Sequence, residues 1–105
     1  MPGRVDVARN LKLLEGLKVQ LLTVISELFA GLYTGAEERV LDALSAAVVI
    51  LFSIANRAGI SIRRLDLAVE EKLAERIKHP GNSLRDFELE LLRYWQGKSG
   101  NQSGS

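Results

Sequence analysis

The run "ALSAAVVILFSIA", Ala43 to Ala55, carries no charged residue and constrains the fold more than any other stretch. It lies within a helical pattern from about Ala36 to Ala58, with Gly59 in the C-terminal capping place. Leu41, Leu44, Val48, Leu51 and Ala55 form one apolar row. Val40, Ala47, Ile50 and Ile54 form a second, and Val49 and Phe52 leave little polar circumference. A helix apolar all round has to be buried on every side. The run is well short of the roughly 20 residues that span a bilayer, so protein must cover it.

The remaining pattern is helical as well. Leu14, Leu17, Leu21, Val24, Leu28 and Leu32 recur at three and four, with Leu22, Ile25, Phe29 and Tyr33 as a second stripe beside them. Thr34-Gly35 stops this first helix. Ser61 is placed to cap a third, whose stripe is Ile62, Leu65, Val69, Leu73 and Ile77. "HPGN" breaks it at Pro80 and Gly81. Ser83 with Asp86 three residues on resembles a capping box before a fourth helix, whose apolar residues are Leu84, Phe87, Leu91, Tyr94 and Trp95. The reading is all-α: one helical domain over residues 1–98 and a disordered polar tail over 99–105.

Three short neighbours barely suffice to cover both the second helix and the doubly striped first one. The economical solution is a homo-oligomer, a dimer or larger, with the hairpin of helices one and two at its core. A tightly packed monomer is the alternative, but so much exposed apolar area is rare on monomers.

Composition narrows the function classes. The chain has 105 residues, 14 basic against 13 acidic, with the signs interleaved. A net charge of +1 argues against a nucleic-acid polymer or a membrane surface as partner. No cysteine is present, which excludes thiolate metal sites and disulfides. "MPGRVDVARN" lacks the apolar core of a signal peptide, so a cytoplasmic location is expected. No phosphate-cradling glycine loop, Ser-His-Asp set or Cys-His set is present.

The acids near the hairpin are the chemical feature. Glu38 and Asp42 stand four apart at the start of the second helix. In an antiparallel hairpin turning at Thr34-Gly35, Glu27 and Asp42 lie at the same height; whether they face each other depends on helix rotation. Two facing carboxylates could hold one hard cation, with water or a phosphate filling the remaining positions. The helix dipole alone, however, also favours Glu38 and Asp42 where they are.

"VISELFAGL", followed by "LDALSAAVVILFSIANRAGISIRRLDLAVEEKL", resembles the MazG-like, all-α nucleoside triphosphate pyrophosphohydrolases, over roughly Asn10 to Lys78. The most specific part is "ANRAGIS" with the acidic helix after it. The resemblance implies a four-helix fold, assembly as dimers or tetramers, and a magnesium site built from Glu-x-x-Glu on helix one and Glu-x-x-Asp on helix two. The ion would bridge the triphosphate and help a water attack the α-phosphate.

Carried over position by position, the motif is degraded. Val24 stands for the first acid and Glu27 keeps the second, as a vestigial ligand; Ala43 and Ala46 replace both acids of helix two. Asp42 is one residue out of register, about 100° round the helix. Lys72 matches a basic position and is a candidate substrate-binding residue, while Glu75 and Arg76 depart from the expected Lys and Asn. Glu27 reads as a buried or interfacial vestige, or as the partner of a basic residue, rather than as an active ligand. His79 stands alone and reads as a loop residue, and Tyr94 and Trp95 as core or interface anchors.

The expected function is a catalytically impaired, dimeric MazG-like protein that senses a nucleotide or binds another protein, with no cofactor. The alternative is an active magnesium-dependent pyrophosphohydrolase using Glu27, Asp42 and Glu38. A structural module acting through helix four and the tail is a third.

Overall fold

The computed structural model describes the backbone of residues 4–104 and the side chains of residues 7–98. It contains four helices and, among the described residues, no strand: α1 (Arg4–Thr34), α2 (Glu37–Arg57), α3 (Ile62–Ile77) and α4 (Arg85–Gly104). The expected polar tail from residue 99 falls outside the residues whose side chains are described. The chain divides into two compact units, Met1–Ile62 and Arg63–Ser105.

The first unit is the α1–α2 hairpin. Gly35 adopts φ +70°, and the Ala36 N–H reaches back to the Gly31 carbonyl at 2.9 Å, the wrapped ending that a left-handed residue allows. Gly59 repeats the device after α2, with φ +83° and Ile60 N–H donating to Ala55 O at 2.8 Å. α2 starts on Glu37 and Glu38, acids that suit the positive end of the helix dipole. Near the turn Gly31 meets Val40 and Glu27 meets Arg39, and far from it the Asn10 side chain donates to the Arg57 carbonyl at 2.7 Å. The two helices are antiparallel.

Leu14, Leu17, Leu21, Val24 and Leu28 are the partly buried row of α1, as their spacing predicts. At the turn the row continues through Gly31 rather than Leu32, which is exposed. A Cβ on Gly31 would sit 3.1 Å from Val40 Cγ2 and 3.3 Å from the Val40 nitrogen, so the missing side chain lets the helices approach. On α2 the seam is Val40, Ala43, Ala47, Ile50 and Ile54, with Ala43 only 3% exposed. The other α2 row, Leu41, Leu44, Val48 and Leu51, is about half exposed, and Leu22 and Phe29 on α1 are about two-thirds exposed.

These exposed rows share one face. At roughly 100° per residue, Leu22, Ile25, Phe29 and Tyr33 lie about 110° one way from the α1 seam and Glu27 about 90° the other way. On α2, Leu41, Leu44, Val48 and Leu51 lie about 100° one way and Arg39 about 60° the other. Glu27 and Arg39 touch, so they define one side of the seam. Both apolar rows therefore occupy the opposite side, as a continuous greasy face.

The second unit is organised at the α3–α4 corner. Asn82 Oδ1 accepts the Leu84 N–H at 2.9 Å, while its Nδ2 donates to Arg76 O at 3.0 Å and to Glu88 Oε1 at 2.7 Å. This cap comes from Asn82, one residue before the Ser83 of the expected capping box, and α4 begins at Arg85. Glu88 Oε2 accepts from Arg76 Nε at 2.8 Å and pairs with Nη2 at 2.7 Å. Hydrogen bonds from Arg76 first and Asn82 second hold the buried Glu88 carboxyl below its usual range. The inward positions of α4 are Glu88, Leu89, Leu91, Leu92 and Trp95, whereas Leu84, Phe87 and Tyr94 of the expected stripe are exposed.

Candidate functional site

The charged side of the hairpin seam collects the four positions that the sequence resemblance assigns to a metal motif. Val24 and Glu27 are one turn apart on α1, and Ala43 and Ala46 one turn apart on α2. By the same angular reckoning all four lie toward the Glu27–Arg39 side, within about two turns of one another in height. Val24 and Ala46 are half-buried and Ala43 is buried, so a small apolar surface occupies three of the four positions.

Glu27 is engaged. Its Oε2 accepts from Arg39 Nε at 3.2 Å and from Nη2 at 3.0 Å. Both side chains are about half exposed, so the pair contributes on the order of 0–1 kcal/mol to stability. Its chemical effect is larger than its energetic one. A cation seeking this carboxylate has to compete with a guanidinium already in place and meets a second positive charge. Asp42 lies on the same side of α2, three residues beyond Arg39, and Glu38 points away from the seam; both are exposed. Neither carries an ion pair among the described residues. Lys72 is exposed on α3 in the second unit. Among the described residues, no three His, Cys, Asp or Glu side chains converge as a metal would require.

Arg39 is the residue that sequence reading missed. Its signal was available: it stands four residues before Ala43 and three before Asp42, on the face that carries the motif. The same side holds a second feature. Glu27's row runs back along α1 through Gln20 and Gly16 to Arg9, while Arg39's row runs on along α2 through Ala46 and Ser53 to Arg57. Toward the open end of the hairpin these rows, with Lys12, line a groove of about 500 Å³.

No helix of the described chain is long and apolar enough to cross a membrane. A family model described as the MazG-like family matches residues 7–86. No curated protein and no solved structure matches the chain.

Proposed function

The chain belongs to the MazG-like family, and we propose that within its superfamily of nucleoside triphosphate pyrophosphohydrolases it is a catalytically impaired member. It acts as a dimeric module that senses a nucleotide or binds another protein. One observation carries this reading: Arg39 occupies the one retained motif acid, Glu27, while Val24, Ala43 and Ala46 stand at the other three positions. Magnesium requires near-octahedral oxygen ligands and dehydrates reluctantly, so a single carboxylate already paired with arginine is a poor anchor. Without the ion, neither the triphosphate charge nor an attacking water is organised.

The dimer is supported by the greasy face. Leu22 and Phe29 from α1 with Leu41, Leu44, Val48 and Leu51 from α2 form one exposed apolar surface of six large side chains, and contiguous apolar surface of this kind marks interaction sites. A second copy of the same hairpin is the simplest self-complementary cover. It would leave the charged side of the seam open to ligand.

The test is pyrophosphate release from all eight common ribo- and deoxyribonucleoside triphosphates with magnesium or manganese, beside a thermal-shift screen of the same compounds. Negligible turnover is expected. Robust hydrolysis abolished by Glu27→Gln would establish the active enzyme instead, with Asp42 and Glu38 as its further acids.

A further inference from the structure

The groove at the open end of the hairpin gathers three cations without an acid among them. Arg9 and Lys12 come from α1 and Arg57 from the last turn of α2, with Gln20 and Ser53 beside them. Among the described residues none of the three cations has an ion-pair partner, whereas Lys18, just outside, is paired with Glu15 at 3.0 Å. The helix dipole accounts for a basic residue at Arg57, at the negative end of α2. It gives no help to Arg9 and Lys12, which lie in the N-terminal half of α1. The recess exists because Gly16 stands across from Ser53 with nothing within 4 Å of where its Cβ would be. Like charges gathered around a concave surface focus potential toward it and attract counter-charge.

We propose that this groove binds an oligophosphate, two or three linked phosphate groups, through Arg9, Lys12 and Arg57 and without a divalent cation. Guanidinium groups meet phosphate oxygens in pairs, and a lysine adds a mobile point charge, a combination suited to a multiply charged chain of oxygens. Gln20 adds a neutral amide donor. The groove lies on the side of the seam opposite the greasy face, so a dimer leaves it open. The proposal deepens the nucleotide-sensing reading, on which it rests for the class of ligand, and supplies from cations the phosphate affinity that the lost acids no longer supply through magnesium.

Calorimetric titration of the full chain with sodium tripolyphosphate in EDTA, at low salt, tests it. One saturable site per chain is expected. Arg57→Gln, and Arg9→Gln with Lys12→Gln, should each weaken binding at least tenfold. Gly16→Glu should do the same by filling and neutralising the recess while replacing glycine with a good helix former. Lys18→Gln should leave binding unchanged. Titrations with nucleoside triphosphates and with nucleosides identify the source of the phosphates: tighter binding of a triphosphate than of tripolyphosphate assigns a nucleotide, and equal binding assigns the phosphate chain alone. Failure of the folded chain to bind tripolyphosphate, or undiminished binding by the variants, overturns the proposal. Pyrophosphate release is measured separately, so an active enzyme would refute the proposed function whatever this groove does.

Discussion

Arg39 reaches across the hairpin so that Nε and Nη2 both lie within 3.2 Å of one oxygen of Glu27. A cation approaching Glu27 would have to displace this guanidinium, and the contact also defines which side of the seam is polar.

Breaking that contact should cost little. Glu27→Gln is expected to lower stability by no more than about 1 kcal/mol, because both partners are half exposed. That corresponds to a fall of about 4–8 °C at most in a domain of this size. Circular dichroism melts would measure it, and a collapse of the fold would show that Glu27 has a structural role beyond this pair.

Restoring the motif is the reciprocal experiment. Val24→Glu, Ala43→Glu and Ala46→Asp, combined with Arg39→Gln to free Glu27, should create magnesium binding. Ala43 is 3% exposed, so a carboxylate there without a counter-charge costs several kcal/mol. The variant should therefore melt well below the parent in EDTA and recover with magnesium. A magnesium-independent melting temperature would show that these are not the ligand positions.

The greasy face should govern assembly. Val48→Lys falls on a half-exposed residue, so in an isolated hairpin it would be nearly neutral. Within the proposed dimer it buries an unpaired charge. Light scattering after size exclusion should give a dimer or larger for the parent, persisting at high salt, and a smaller species for the variant. A monomeric parent at micromolar concentration removes the basis for the dimer.

The glycines of the hairpin should respond in opposite directions. Gly35→Ala forces a Cβ into the left-handed region and should destabilise by about 1–2 kcal/mol. Gly16→Ala, in an open mid-helix position, should stabilise by about 0.5–1 kcal/mol. Thermal melts of the two variants read both signs, and a stabilising Gly35→Ala would contradict the turn.

The α3–α4 corner should be sensitive to acid. The Glu88 carboxyl is lowered from an ordinary value near 4.5, so its contribution is complete above that pH and is lost as pH falls through the lower native value. Melts between pH 7 and 2.5 should show an acid-dependent loss in the parent that Glu88→Gln largely lacks. Equal acid slopes would mean that Arg76 and Asn82 do not favour the charged form.

The helices and the place where the hairpin turns are legible in the residues alone. Apolar residues at three and four, and glycines at 35 and 59, are local signals, because helical periodicity and left-handed backbone depend on near neighbours. The resemblance assigns Val24, Ala43 and Ala46 to a metal motif by position alone, which is an expectation and not a property of their geometry. Rotation about the helix axes was decided only in three dimensions. Two apolar stripes on α1 and two rows on α2 were equally able to form the seam. The choice followed from which pair packs closest: Gly31 against Val40 and Ala43 at the interface leave no room for Leu32, Leu41 or Leu44 there. That rotation turned Arg39 onto Glu27 and brought Arg9, Lys12 and Arg57 around one groove, from positions up to 48 residues apart in a chain whose local pattern does not link them.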